Sequence, residues 1–512
     1  MASNLPDYVA SAQPVPQANR IPWFSSTAQT YAGIMLWFVF WQDIPTGGGA
    51  AGGTLSHGVG LALLGVILAG LLCHFLYYVV PGMLGMKTGL PLYIVGTSTY
   101  GVNGGFLMPG FLMGILQFGW LGVNAFFAGV LLCAPFYENP MDAVLTPPHA
   151  IVSSIWAILA AFMGLKGISY VAKVATFLPV IPLAILIILF VSTVGGVGSF
   201  DPAVQIDAPA VAKTAPKAKA DTDTNADDKA ETKEDAEAKA VAEDKAGAEK
   251  AVEAEVAAAP LPEKLTKWGV VAIILTYIIG FFATAGAAGA DFGMNNRDAK
   301  DVSLGGLVGI AGSTIFAGGL SLLIVAGAYG SGLVEDSGVM NTTALMGGIV
   351  GTKTAAVFMY LLAIAAFPPA CFSSFIAANS FKTTLPKVPP FLSVGIGTAV
   401  SIFLAISGYA GDVISVFSVI GASFGPICGA MAADYLLSGK NWAGPRAGFN
   451  PAGWISWAVG FVVGAADFIP ALAGKVPVPP LAALIVGFVL YLILAKAGLE
   501  STVMEMPAAE TE

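Results

Sequence analysis

Gln117, Trp120 and Asn124 are spaced three and four residues apart within an apolar stretch, so on a helix they form one stripe of amide, indole and amide. Contact with lipid does not explain such a stripe. A carboxamide presents a donor and an acceptor side by side, so Gln117 can pair with the amide-like edge of a heterocyclic base. Trp120 offers a flat face for stacking, and Phe281 or Phe282 can supply the opposite face. The competing reading is structural, with Gln117 making an interhelical hydrogen bond and Trp120 filling space. Trp120 falls midway along its segment, away from the ends where tryptophans anchor spans to the interface, and this favours an interior role. Two apolar walls and a few polar groups are the ordinary form of a small-molecule cavity.

The segment carrying these residues is one of about twelve apolar segments. They open near Ser26, His57, Phe106, His149, Val171, Trp268, Val302, Thr354, Phe391, Gly411, Pro451 and Pro479, and each is long enough, at about twenty residues, to cross the hydrocarbon. With 56% hydrophobic and 11% charged residues and a mean hydropathy of +0.78, the 512 residues read as an all-α polytopic membrane protein. No basic footprint for nucleic acid is present. Outside one acidic block, the Lys and Arg residues gather after every second span, at Lys87, Lys166, Arg297, Lys382, Lys440 and Lys496. The positive-inside rule then places both termini in the cytoplasm, and twelve spans satisfy that parity. The expected location is the inner (plasma) membrane, with no cleavable signal.

Cys73, Cys133, Cys371 and Cys428 stand singly inside spans, and His57, His74 and His149 are far apart, so neither a metal site nor a cofactor is expected. His74 can relay a proton, although a satisfied intrahelical histidine is the commoner case. No nucleophile, base and oxyanion set converges in any span, which argues against an enzyme.

Residues 200–265 are rich in Ala, Glu and Lys and hold half of the chain's acidic residues, a composition that cannot build a core. Five spans precede this block, and because five is odd the next five must enter the membrane in the opposite sense. That is the inverted repeat of many secondary transporters. The expected organisation is a cytoplasmic tail at 1–25, a first repeat at 26–199, a non-cytoplasmic insertion at 200–265, a second repeat at 266–437, two further spans at 438–498 and a cytoplasmic tail at 499–512. Spans 1 and 6 hold corresponding positions and are rich in small residues. Thr27 to Gly33 in span 1, and Gly280, Thr284, Gly286 and Gly289 in span 6, predict unwinding near the midplane. The structural alternative is close helix packing through the same small residues.

Further stretches carry a resemblance. They are Pro14–Gln17, Lys87–Leu90, Tyr100–Gly104, Gln117–Val123, Ala290–Phe292 leading to Arg297–Lys300, and Ala433–Leu436. In their order and spacing the chain resembles the nucleobase:cation symporter-1 family, and within it the bacterial cytosine permeases. The resemblance implies a five-plus-five inverted-repeat fold with two added spans, and cation-driven uptake of a nucleobase or related ring. It implies that Gln117, Trp120 and Phe281 or Phe282 contact the base, with Gly280 and Thr284 beside them. Backbone carbonyls near Ala32 and Gly33 are implied to face the cation together with hydroxyls of span 8. There the chain departs from the permeases, with Phe367-Pro-Pro-Ala-Cys-Phe372 in place of a threonine pair followed by Asn and Asp. Ser373 and Ser374 are the nearest replacement hydroxyls.

Asp291 and Asp434 fall near the cytoplasmic ends of spans 6 and 10, beside Arg297 and Lys440, which marks them as gate or interface ion pairs before proton carriers. A gate of Asp291 with Arg297 is the expectation. The sequence therefore predicts a secondary transporter importing cytosine or a purine-like planar heterocycle, with sodium as the expected coupling cation and a proton as its rival. Two other readings remain: a carrier for another small heterocycle or amine, and a membrane sensor that keeps the fold without transporting.

Overall fold

The computed structural model describes residues 5–25, 44–47, 53–137, 140–166, 177–203, 265–334 and 342–506. The expected span 1, with Ala32 and Gly33, and nearly all of the 200–265 insertion lie outside these residues. Eleven apolar helices of ten residues or more stand among the described residues. They are α1 (Val59–Thr88), α2 (Phe106–Phe136), α3 (Pro147–Lys166), α4 (Val180–Ser199), α5 (Lys267–Ala287), α6 (Ala299–Gly330), α7 (Thr352–Thr384), α8 (Pro390–Ile406), α9 (Val413–Leu437), α10 (Pro451–Gly464) and α11 (Pro479–Lys496). Nine are long and apolar enough to cross a membrane, and α8 and α10 are shorter. Ten begin within about three residues of the positions where hydropathy opens a segment. The exception is α4, which begins at Val180, and the stretch 167–176 before it is outside the described residues.

Local chemistry sets these boundaries. Thr266 caps α5 by accepting the Gly269 amide at 2.9 Å, and Asp298 caps α6 by accepting the Asp301 amide at 2.8 Å. Asp412 accepts the Ser415 amide at 3.1 Å ahead of α9, while α8, α10 and α11 open on prolines, whose missing N–H costs nothing in a first turn. Pro368 and Pro369 lie inside α7, yet that helix continues to Thr384. Ile155, Phe162, Val191, Ile396 and Phe403 point outward, as lipid-facing side chains do.

One expectation is corrected. α5 runs unbroken from Lys267 through Gly280, Thr284 and Gly286 to Ala287, and a separate short helix, Gly289–Gly293, follows. The glycines serve close packing instead of unwinding. A methyl on Gly280 would stand 2.7 Å from the carbonyl oxygen of Phe417 in α9, and one on Gly286 would stand 2.5 Å from the Tyr77 Cβ in α1.

Two packing groups emerge. α2, α3, α7 and α8 pack on one another, whereas α5 packs on α1 and α9, and α6 packs on α1. α9 also packs on α10 and α11.

Candidate functional site

Midway along α2, Gln117 is buried at 7% exposure, and among the described residues its carboxamide finds only the Met113 sulfur, at 3.6 Å from Nε2. A thioether is a weak acceptor, so nearly all of the amide's hydrogen-bonding capacity is unspent. One turn on, Trp120 meets Phe281 of α5 edge-to-face, with ring centroids 5.0 Å apart and planes at 87°. Phe417 of α9 completes the cluster, 5.4 Å from both Trp120 and Phe281. Phe282 lies fully buried behind Phe281 at 4.6 Å. The cluster therefore joins α2 of one packing group to α5 of the other.

Asn124 has a different setting from Gln117 and Trp120. Its Nδ2 donates to the Ala366 carbonyl of α7 at 3.0 Å, and its Oδ1 accepts from the Trp156 indole N–H of α3 at 2.9 Å. Both ends of the amide are thus engaged in tying α2, α3 and α7 together. Trp156 also packs edge-on against Phe367, 5.1 Å away, so the aromatic sequence that departs from the permeases is locked into this knot. Gly280 is pressed on α9, and Thr284 is buried one turn beyond it.

Ser373 and Ser374 are both buried on α7, and Ser374 Oγ has no partner among the described residues. Ser374 sits where α7 crosses α3, since a Cβ on Gly164 would stand 3.0 Å from the Ser374 Cβ. Among the described residues no group of three or more His, Cys, Asp or Glu gathers. His149 Nε2 lies 3.0 Å from the Phe126 carbonyl, and His74 is buried beside Tyr78 and Gly306.

The acids form different pairs from those the sequence suggests. Arg297 binds Asp301 at 2.7 Å, and the Trp23 amide donates to the same carboxylate at 3.2 Å. Asp291 instead accepts the Leu92 amide at 2.9 Å. It lies past the end of α5, and burial pushes its carboxyl up to about 6 against the opposing pull of that amide. Asp434 pairs with Arg446 at 2.8 Å, not with Lys440, and also accepts from the hydroxyls of Ser98 at 2.6 Å and Thr99 at 3.1 Å. Arg446 is buried at 4% exposure and reaches Glu500 at 2.8 Å. Burial alone would lower the guanidinium pKa, but Asp434, Tyr491 and Glu500 outweigh it and hold it above its ordinary value.

Sequence reasoning missed Phe417 and Arg446. Phe417 stands in an apolar run that gives no sign of which face it serves, and only the glycine spacing opposite it, Gly280 against its backbone, could have pointed there. Arg446 was legible as a loop cation, and its burial required the fold.

No family model matches the chain. Cytosine permeases of Escherichia coli are 37% identical over 116 residues, 22% of this chain and 25% of theirs, so the match spans about a quarter of the length of these curated relatives. Among solved structures, the inward-facing conformation of Mhp1 superposes with a TM-score of 0.58 at 14% identity over 98% of this chain and 97% of that one. Mhp1, a nucleobase-cation-symport-1 family transporter, in a closed conformation with bromovinylhydantoin bound gives 0.57 at 14% over 95% of each. A Na+-coupled sialic acid symporter in a substrate-bound outward-open state gives 0.52 at 12% over 98% of this chain and 93% of that one. The chain is therefore a multi-pass membrane protein of Mhp1-like fold, with a stretch of its sequence similar to cytosine permeases.

Proposed function

We propose that this protein is a secondary transporter that imports a planar nucleobase-like heterocycle, cytosine or a purine-like ring, by cation-coupled alternating access in the plasma membrane. The observation that carries the reading is the contact of Trp120 with Phe281 across the two packing groups, beside a buried glutamine whose amide is almost unspent. A base held between two rings needs two van der Waals gaps of about 3.5 Å, hence about 7 Å between ring planes. The 5.0 Å edge-on contact leaves no such gap, so Phe281 turns away as the groups separate and the ring slides over Trp120. Gln117 then reads the polar edge of the base, and Phe417 closes the third side. Gly280 and Thr284 shape the wall through the backbone, Phe282 backs Phe281, and Asn124 holds α2 at the correct rotation.

The similarity to cytosine permeases and to Mhp1 supports this substrate class, together with twelve spans arranged as two inverted repeats of five plus two, and cytoplasmic termini. Asp291 and Arg297 belong to the cytoplasmic gate through separate partners, Leu92 and Asp301. Sodium is the proposed coupling ion, held by span 1 carbonyls at Ala32 and Gly33 with the hydroxyls of Ser373 and Ser374. The Ser374 hydroxyl, buried without a protein partner among the described residues, supports an oxygen kept for a ligand. A second reading, transport of another small heterocycle or amine, draws on Phe367–Phe372, where the permeases carry polar side chains. A thermal-shift screen of purified protein against nucleobases, hydantoins and small amines, with and without sodium, tests the assignment. A sodium-enhanced shift with cytosine or a purine is expected, whereas a shift with amines alone would overturn the substrate class.

A further inference from the structure

On the face of α2 turned away from Gln117 and Trp120, a groove of about 940 Å³ runs between α2, α8 and α9. Its walls are apolar: Ile115 and Leu116 of α2, Ile396 and Val400 of α8, and Val416 and Val419 of α9. Several of these are well exposed, with Val400 at 48% and Ile396 at 59%, so the groove opens sideways, where a membrane protein meets lipid. Its polar lining among the described residues is Ser393 near one end and Tyr409, Asp412 and Ser415 at the other, with apolar side chains between. Along α8 it extends from Leu392 to Leu404, about 18 Å at 1.5 Å per residue. One leaflet of a hydrocarbon core about 30 Å thick is about 15 Å deep, so the length suits an acyl chain.

The two ends differ in charge. Leu385 and Val388 line one end, and the exposed Lys382 and Lys387 flank them in the chain. Lys166 reaches the same end, its Nζ 5.0 Å from the ring centroid of Phe391, the neighbour of Leu392. Asp412 lines the groove at the α8–α9 connection, where it accepts the Ser415 hydroxyl at 2.6 Å. An anionic headgroup is thus attracted to one mouth and repelled from the other.

We propose that this groove is a binding site for an anionic phospholipid, with its acyl chains between α2, α8 and α9 and its headgroup at Lys166, Lys382 and Lys387. Each lysine near a membrane surface favours an anionic headgroup by about fivefold. A second copy of the chain fits less well, because a two-fold axis along the membrane normal would bring a second set of the same lysines to the same level. The bound chains brace the back of α2, the helix whose other face carries Gln117 and Trp120.

Native mass spectrometry of the detergent-purified protein, titrated with equal amounts of phosphatidylglycerol and phosphatidylcholine of matched chains, tests the proposal without any transport readout. Wild-type protein is expected to retain phosphatidylglycerol severalfold over phosphatidylcholine. Lys382→Ala with Lys387→Ala should lower that ratio, and adding Lys166→Ala should bring it close to one, whereas Val400→Trp, which fills the groove, should lower retention of both lipids. Should Val400→Trp fail to fold, Ile396→Trp probes the same groove. Equal retention of the two lipids by wild type, or retention that ignores the tryptophan, would overturn the proposal. So would a dimer that Val400→Trp dissociates, which would make this face a contact between copies.

Discussion

In the proposed site Gln117 and Trp120 divide the work of recognition, one by hydrogen bonding and one by stacking, and on that proposal their substitutions should fail in different ways. Gln117→Ala leaves the polar edge of a bound base unpaired, a cost of about 1 to 3 kcal/mol, or roughly five- to 150-fold in affinity. Trp120→Ala removes the stacking face for every planar ligand, whereas Gln117→Ala should weaken cytosine more than a ring lacking that edge. Equilibrium binding by both variants at wild-type affinity would place the site elsewhere. The stripe itself was legible from spacing. The role of its third member was not, because Asn124 differs from Gln117 only in what neighbouring helices offer it: the Ala366 carbonyl and the Trp156 indole. Asp291 carries a pH signature. Its folded carboxyl, raised from 3.8 to about 6, binds a proton more tightly than the unfolded chain does. Its stabilising contribution is therefore complete below about 4 and lost as pH rises through about 6. Thermal midpoints measured across that window should fall for wild type relative to Asp291→Asn, and parallel curves would contradict the assignment.

At the scale of elements, glycine-rich stretches show where sequence reading misleads. Gly280 and Gly286 looked like a break in α5, yet small residues let backbones touch as readily as they let a helix unwind, and only the packing partners Phe417 and Tyr77 decide between them. The connection after α9 shows the converse. Arg446, on a segment that reads as a solvated loop, is buried among Asp434, Glu500, the Tyr491 hydroxyl at 3.3 Å and the Ser98 carbonyl, and so clasps the chain after α11 to the turn before α2. Removing one partner of a buried pair leaves an uncompensated charge, so Arg446→Ala should destabilise the protein by about 3 to 5 kcal/mol. Glu500→Gln should cost clearly less, because that carboxylate is 27% exposed and Arg446 keeps Asp434. Thermal unfolding in detergent would reveal the difference, and equal losses would mean that Glu500, not Asp434, anchors the arginine.

At the scale of the whole molecule, the positions of ten helices among the described residues followed from hydropathy, because about twenty consecutive apolar residues have few other uses. How the helices group did not follow, since apolar faces look alike to lipid and to one another; the division into α2, α3, α7 and α8 on one side and α1, α5 and α6 on the other rests on side-chain fit. The acidic insertion is dominated by Ala, Glu and Lys, a composition poor in the large apolar residues with which a segment joins a core. Deleting residues 208–259 should therefore leave uptake unchanged in correctly inserted protein, and loss of uptake would assign the insertion a part in gating or recruitment. The most direct test of the central claim is uptake of radiolabelled cytosine into proteoliposomes under an inward sodium gradient. The account predicts accumulation above the external concentration, collapse of that accumulation when the gradient is dissipated, and its absence with Trp120→Ala. Protein that binds the base yet never accumulates it under either a sodium or a pH gradient would contradict the account and identify a sensor in a transporter's fold.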